Sequence, residues 1–397
     1  MLGWELPPHH SGGLGVACYE MCKEISAHGI DIEFILPYTA EFDLDFMQIT
    51  AAHHQSAESV LYAGSGYTPE LYSDTFMVTH HDQHLDLRMQ HDLFALNVAR
   101  LAESKEFDII HAHDWLTFRA GLMAKKVSGK PLIAHVHATQ FDQSGGNYGN
   151  PAAREIEQAA LSEADVVFAV SQYTKNILVR EYGIDANKIT VVHNSVSIPP
   201  DVDQSTNVHR YLEVMKQSGY SVVANIGRQT LQKGLTHLLD AAQLVISINP
   251  KVLFVLAGSG EQKNELIERA AAYGISRNVI IEDWVSGKKL HDTFRIADVF
   301  VMPSVSEPFG LVALEAISLG TPVIVSKQSG VSEVLSHALK ADFWDTDRIA
   351  DMILQVVEHK GLQQELWRNS YAEYSEITWS RSVDVMKQRY QVLCGVG

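Results

Sequence analysis

Short apolar runs alternate with amphipathic stretches along almost the whole chain. In the first half the runs are "IDIEFILPY", "FDIIHAH", "PLIAHVHA", "ADVVFAVS" and "KITVVHNSV". "SVVANIG", "VLFVLAGSG", "NVIIEDWV", "ADVFVMPS" and "TPVIVS" repeat the pattern in the second. Each is too short for a helix, and most are closed by Gly, Pro, Asn or Ser, so each predicts a buried strand. Strands alternating with helical segments predict parallel sheets of the α/β class, because parallel neighbours need a crossover helix. Between the two series lies "NSVSIPPDVDQSTNVHRYLEVMKQSGY", polar and carrying Pro199 and Pro200. It predicts a linker or hinge at residues 196–219 with a short helix, separating domains at 1–195 and 220–378.

The stretch "EPFGLVALE" places Glu307 and Glu315 on either side of an apolar run. A residue before proline favours extended backbone, so Glu307 belongs to a loop. "LVALEAISLG" has helical apolar spacing and a stop at Gly320, so Glu315 belongs to a helix. "ADVFVMPS" precedes both, and strand, loop and helix in that order put the loop at the carboxyl edge of a parallel sheet, where open α/β folds bind ligands.

Composition narrows the class. A chain of 397 residues is too long for one ordinary core and fits two domains. Hydrophobic residues at 46% and charged residues at 20% are those of a globular protein. Lys plus Arg at 31 against Asp plus Glu at 48 gives a net charge of -17. That surface repels nucleic acid and anionic lipid, which excludes both as general partners. No apolar run reaches the length of a membrane span, and the N-terminus lacks the basic region of a secretory signal. Cys18, Cys22 and Cys394 make no disulfide framework; Cys18 and Cys22 share an apolar stripe with Leu14 and Ile25 and read as small core residues. A reducing cytoplasm is the expected compartment.

Other constellations carry candidate chemistry. In "SGGLGVACYEM", Gly12, Gly13 and Gly15 precede a helix, and amides at a helix N-terminus can receive a phosphate. In "NIGRQTLQKGLTHLLDAA", Arg228 and Lys233 lie between a strand and a helix, two cations where a diphosphate would be held. "HAHDW" (111–115) and "HVHATQFDQSGG" (135–146) end neighbouring strands and would form a polar wall. His80, His81, His84 and His91 match no zinc spacing and predict a solvated polar segment.

Taken in order, the Gly-rich loop, "HAHDW", "HATQFDQSGG", "GRQTLQKG" and "EPFGLVALE" resemble the retaining glycosyltransferases of the GT-B fold, specifically glycosyltransferase family 4. "HAHDW" and "FWD" (343–345) resemble its glycogen and starch synthase-like members. The resemblance implies two Rossmann-like domains facing a cleft, with a last helix, 379–394, packed back on the first domain through Val383, Met386, Tyr390 and Leu393. It implies that Arg228 and Lys233 hold the diphosphate of a nucleotide sugar and stabilise the leaving phosphate. Glu307 would contact the donor sugar, Glu315 the ribose, and the amides of Phe309, Gly310 and Leu311 the sugar and diphosphate. His137 would sit beside the anomeric carbon, Gly12 and Gly13 would reach the diphosphate, and His111, His113 and Asp114 would lie on the acceptor side.

The same resemblance implies transfer of a hexose, glucose first, to an α-glucan or other sugar acceptor. GDP-mannose or another UDP-sugar with a small or lipid-linked acceptor is the alternative. A sugar-nucleotide-binding protein without turnover is the alternative outside enzymes. His10 stands where glycogen synthases carry a lysine, which argues against ADP-glucose. The opening "MLGWELPP" leaves almost no residues for the strand that leads to the Gly-rich loop, so either a start codon assigned too late or a clipped first strand is expected. No metal and no cofactor is expected. The Asp-any-Asp spacings, Asp43 with Asp45, Asp201 with Asp203 and Asp345 with Asp347, lie away from the donor loops.

Overall fold

A computed structural model describes residues 1–10, 12–52, 87–197 and 207–395. The chain divides into two compact units. The first comprises Met1–Gln143, Asn147–Ser195 and Thr378–Gly397; the second comprises Ser144–Gly146 and Val196–Ile377.

The first unit carries β1 (Glu33–Leu36), β2 (Gln48–Ala51), β3 (Ile110–His113), β4 (Leu132–Val136), β5 (Val166–Ala169) and β6 (Ile189–Val191). β1 pairs with β2, and β3 to β6 pair in sequence order, all in parallel. Leu2 joins the two groups by bridging Ile35 and Ala112 in parallel. Its amide donates to the His111 carbonyl at 2.8 Å, and its own carbonyl accepts from the His113 amide at 3.2 Å. The expected short first strand is therefore this bridge, with later strands on either side of it. The Gly-rich loop follows it and the Asp114 turn follows β3, so both leave the sheet where its strand order reverses.

Helix Gly13–Ala27 presents Cys18, Met21, Cys22 and Ile25 to the core, each at most 1% exposed. Burial pushes the Cys22 thiol up to about 12 and the Cys18 thiol well above its usual range, as inert core residues require. The closing helix Trp379–Cys394, started by Thr378 accepting from the Arg381 amide, packs against Gly13–Ala27. Val383, Met386 and Tyr390 are buried and Leu393 is half-buried.

The second unit is one parallel sheet of β7 (Ser221–Ile226), β8 (Val252–Ala257), β9 (Val279–Glu282), β10 (Val299–Met302), β11 (Val323–Ser326) and β12 (Leu339–Ala341). Its order is β12-β11-β10-β7-β8-β9. Helices Leu235–Ile248 and Thr346–Glu358 pack on one face through Leu238, Leu239, Val245, Ile353 and Val356. Burial of this many aliphatic side chains is the main stabilising term, about 1.5–3 kcal/mol for each one fully removed from water.

Every apolar run named above contains a strand. The two strands the pattern missed are β2 and β12, whose residues are half-buried or exposed except for Ala341, so no continuous apolar run marks them. The expected linker overlaps residues outside those described, Pro199, Pro200, Asp201 and Asp203 among them; its short helix is Arg210–Gln217. His80, His81 and His84 also lie outside the described residues. His91 departs from expectation: it is buried on helix Leu87–Ser104, packed edge-on against Trp4 and Trp115, and burial drives its imidazole down to about 3. The helical apolar stripe begins earlier than the histidine-rich composition suggests.

Candidate functional site

In the second unit the strand order reverses between β7 and β10, because β8 lies on one side of β7 and β10 on the other. The loops leaving these two strands are thus adjacent at the carboxyl edge, the usual ligand position of an open α/β sheet. One carries Arg228 and Lys233, the other Glu307. Gly234, at φ 65°, permits their approach: a Cβ there would lie 2.1 Å from the Pro303 carbonyl oxygen. Gln232 stitches them together. Its carbonyl accepts from the Val305 amide at 2.9 Å, its side-chain nitrogen donates to the Ser306 carbonyl at 3.0 Å, and its side-chain oxygen accepts from Arg228 Nη2 at 2.8 Å.

Lys233 Nζ lies 2.6 Å from Glu307 Oε2, which also accepts from Ser304 Oγ at 2.9 Å. The Glu307 amide donates to the Gln328 carbonyl, and the Gly330 amide donates to the Glu307 carbonyl, both at 2.9 Å. Glu307 is therefore fixed by backbone pairing, as a loop residue and not a helical one. Phe309 is buried, and Gly310, at φ 109°, caps helix Leu311–Ser318; a Cβ there would meet Met302 at 2.8 Å. Helix Leu311–Ser318 carries Glu315, whose carboxylate has no hydrogen bond or ion pair among the described residues. Burial pushes that carboxyl up to about 7.

Chemically this edge offers a guanidinium, an ammonium and two carboxylates, all within one sheet's switch-point loops and the helix that follows. Cations can neutralise a diphosphate, and carboxylates can accept from sugar hydroxyls. Gln232, Ser304 and Gln328 have no signature in the sequence, because a side-chain amide, a hydroxyl or a backbone carbonyl that ties one loop to another obeys no spacing rule.

In the first unit the histidines lie on one sheet face. His111 and His113 alternate on β3, and His113 is in register with His135 of β4. Their rings stack, with His135 and His137 centroids 4.3 Å apart and His111 and His113 centroids 4.5 Å apart. Tyr390 Oη lies 2.8 Å from His111 Nδ1, His111 Nε2 lies 3.1 Å from His135 Nδ1, and His113 Nδ1 lies 3.1 Å from His137 Nε2. Burial drives His111, His113 and His135 well below their usual range and His137 down to about 3, so all four are neutral. The predicted polar wall is therefore an interior one. His111 and His113 are enclosed beneath the first and last helices of the unit and do not present their rings as acceptor contacts; i, i+2 alternation sends them to the covered face.

Cys18, His113 and His137 bring potential metal-ligand atoms within 4.8 Å of one another, as do His111, His113 and His135. Hydrogen bonds occupy the facing ring nitrogens of the histidine pairs. Among the described residues His113 Nε2 and His137 Nδ1 meet no hydrogen-bond partner, whereas a metal-bound imidazole is ordinarily oriented by such a partner on its other nitrogen.

Asp114, at φ 57°, is fully buried in the turn after β3. Its Oδ1 accepts from the His137 amide at 2.6 Å and the Ala138 amide at 3.3 Å, so it holds the His137 backbone. Gly12 caps helix Gly13–Ala27 without a side-chain hydrogen bond, and a Cβ at Gly12 would meet nothing within 4 Å. The Gly15 amide is already taken by Glu5 Oε1 at 3.1 Å. Among the Asp pairs, Asp43 and Asp45 are exposed and Asp345 caps helix Thr346–Glu358 through the Arg348 amide.

Two switch-point sheets, with a cation and carboxylate cluster on the second, define a nucleotide-sugar transferase of the GT-B class, and comparison with known proteins agrees. Residues 213–373 match the family described as Glycosyl transferases group 1, and residues 11–198 match Glycosyltransferase Family 4. An uncharacterized glycosyltransferase of Methanocaldococcus jannaschii is 26% identical, with 96% of this chain and 94% of that protein covered. The D-inositol 3-phosphate glycosyltransferase of Rhodococcus jostii is 27% identical over 96% of this chain and 85% of its own length. The glycogen synthase of Mycobacterium tuberculosis is 24% identical over 84% and 79%.

Among solved structures, sucrose-phosphate synthase from Thermosynechococcus elongatus superposes with a TM-score of 0.75 at 17% identity, covering 100% of this chain and 98% of that one. Anabaena HepE, in complex with UDP and glucose, gives 0.67 at 18% identity over 99% and 98%. The chain belongs to the family 4-type glycosyltransferases of the GT-B fold and is a nucleotide-sugar-dependent transferase. No helix among the described residues is long and apolar enough to cross a membrane.

Proposed function

We propose that this transferase moves glucose from a nucleoside diphosphate sugar, with retention at the anomeric carbon, to an α-glucan or another sugar acceptor. The observation that carries the reading is the Lys233, Glu307 and Ser304 cluster beside Arg228 at the switch point of the second unit. In this reading Arg228 and Lys233 take the diphosphate, and Glu307, joined to Lys233 before donor arrives, passes to the sugar hydroxyls once phosphate claims the ammonium. Glu315 accepts from the ribose hydroxyls.

Retention follows if the acceptor hydroxyl attacks the face the diphosphate leaves, giving its proton to the departing phosphate oxygen. Protein groups then supply position and charge, not an acid and base pair. Glu307 is fixed by its backbone and tied to Lys233, so it serves as a hydroxyl acceptor and not as one of two glycosidase carboxylates. The diphosphate is neutralised by side chains and amides without a divalent ion. UDP-glucose is the donor to test first, since HepE was solved with UDP-glucose and a trehalose-6-phosphate enzyme of E. coli with UDP-2-fluoro glucose. A small phosphorylated acceptor is the second reading, favoured by the D-inositol 3-phosphate glycosyltransferase relatives.

The test is thermal stabilisation by a panel of nucleoside diphosphates, followed by anomer analysis of the product. A ligand at 100 times its dissociation constant adds about 2.7 kcal/mol to a two-state fold. A shift with UDP above GDP and ADP, and an α-linked product from an α-linked donor, support the reading. No shift with any nucleotide, or an inverted product, contradicts it.

A further inference from the structure

The turn that carries His137 is held by buried acids at each successive amide. Asp114 accepts from His137 and Ala138, Asp142 Oδ2 accepts from the Thr139 amide at 2.9 Å, and Glu157 Oε1 accepts from the Gln140 amide at 2.9 Å. Asp114 and Asp142 are fully buried and Glu157 is 1% exposed. Glu157 comes from a separate element, helix Pro151–Glu163, and its other oxygen, Oε2, receives the hydroxyl of Tyr182 at the end of helix Gln172–Tyr182. Gln140 is tied twice more: its side-chain oxygen accepts from the Asn150 amide at 3.2 Å and its side-chain nitrogen donates to Gln143 at 2.8 Å.

We propose that Glu157 is a positioning residue for transfer, clamping the His137–Gln140 turn to helix Pro151–Glu163 through the Gln140 amide and to helix Gln172–Tyr182 through the Tyr182 hydroxyl. The groups facing it are Tyr182, the Gln140 amide, and the carboxylates of Asp114 and Asp142. Arg154, on its own helix, lies over the Tyr182 ring, 4.7 Å from its centroid, and donates to the Glu181 carbonyl. Two neighbouring acids and a dry site favour a neutral carboxylic acid, and burial first, then those acids, push the Glu157 carboxyl up to about 8. A neutral acid keeps both contacts, its Oε1 accepting from the Gln140 amide and its protonated Oε2 donating to the Tyr182 oxygen, without placing a third negative charge at one turn. A glutamine has the same shape, with an oxygen for Gln140 and a nitrogen for the Tyr182 oxygen. The catalytic part of this inference rests on the transferase reading; the clamp itself does not.

Amide hydrogen exchange of the 137–143 segment in the full chain tests the clamp, read beside UDP-glucose turnover with maltoheptaose as acceptor and beside UDP affinity. Glu157→Ala is expected to raise exchange of the Gln140 amide by about tenfold or more, the loss of one buried hydrogen bond. Turnover should fall by a similar factor at unchanged UDP affinity. Glu157→Gln should keep the wild-type exchange rate and turnover at about pH 7, and stay level to about pH 9, where wild-type turnover declines as the acid ionises.

Unchanged exchange in Glu157→Ala, or equal loss in Glu157→Gln and Glu157→Ala, overturns the clamp. Reduced UDP affinity in either variant overturns the positioning role. If exchange behaves as stated but every protein, wild type included, turns over no donor, the functional reading fails while the clamp stands.

Discussion

The two units use polar residues in opposite ways. In the first, four imidazoles and three acids are buried and serve one another or the backbone, with the imidazoles neutral. In the second, the guanidinium of Arg228, the ammonium of Lys233 and the carboxyls of Glu307 and Glu315 gather at the carboxyl edge, the last raised by burial to about 7. A site that binds a charged diphosphate needs the second arrangement. A turn that must stay in one place needs buried acids on its amides, as in the first, because a satisfied buried hydrogen bond fixes geometry while an unsatisfied one costs stability. The histidines that look most catalytic in the sequence are therefore buried and neutral, and the charged groups suited to a diphosphate lie in the second unit.

Charge removal in the second unit should have the largest effect. Arg228→Ala is expected to lower turnover by on the order of a hundredfold or more, with little change in melting temperature. Lys233→Ala should lose activity on the same scale but also about 1–3 kcal/mol of stability, since it leaves the Glu307 carboxylate buried with Ser304 alone. Normal turnover in both variants would remove the assignment of this edge as the donor site.

The glutamates sharpen the comparison further. Glu307→Gln is expected to reduce sugar transfer by about tenfold or more with UDP affinity nearly unchanged, whereas Glu315→Gln should weaken UDP by about tenfold. Equal weakening of UDP by both variants would show that the sugar and ribose roles are misassigned.

Next in size is pH. The Glu315 carboxyl is raised by burial to about 7, so ionisation costs folding stability, a contribution present below the unfolded carboxylate range and lost as pH rises through about 7. Ribose hydroxyls donate to the ionised form. UDP affinity should thus rise between about pH 6 and pH 8 and then level off, and Glu315→Gln should abolish that dependence. Titration calorimetry across this range checks it; a wild-type affinity flat with pH would count against a ribose role.

The smallest effect belongs to the first unit. Tyr390→Phe removes the hydroxyl that serves His111 Nδ1 and should cost about 1–3 kcal/mol in denaturant unfolding, with turnover at saturating substrate kept within about twofold. A large loss of turnover without loss of stability would place the histidine layer in the chemistry after all.

Much of the fold could be read from the chain because buried parallel strands are continuous apolar runs and their helices carry 3.6-residue spacing. Glu307 in a loop and Glu315 on a helix were legible from Pro308 and Gly320 alone. What was not legible depends on tertiary contact. β2 and β12 lack apolar runs, and His91 looked solvated until Trp4 and Trp115 closed over it. Gln232 and Glu157 act on backbone groups of distant segments, and nothing local distinguishes such a residue from surface polarity. Asp114 stands out in the sequence only through its neighbours in "HAHDW", whereas its hold on the His137 amide comes from the pairing of β3 with β4.

The central claim is that charges of the second unit hold the donor diphosphate without a divalent ion. Titration calorimetry of UDP into metal-stripped wild type and Arg228→Ala, each in excess chelator and again with magnesium or manganese, tests it most directly. Wild-type binding should be the same with and without the ion, and binding should be weakened by about tenfold or more in Arg228→Ala under both conditions. Wild-type binding that vanishes in chelator and returns with magnesium or manganese would contradict it.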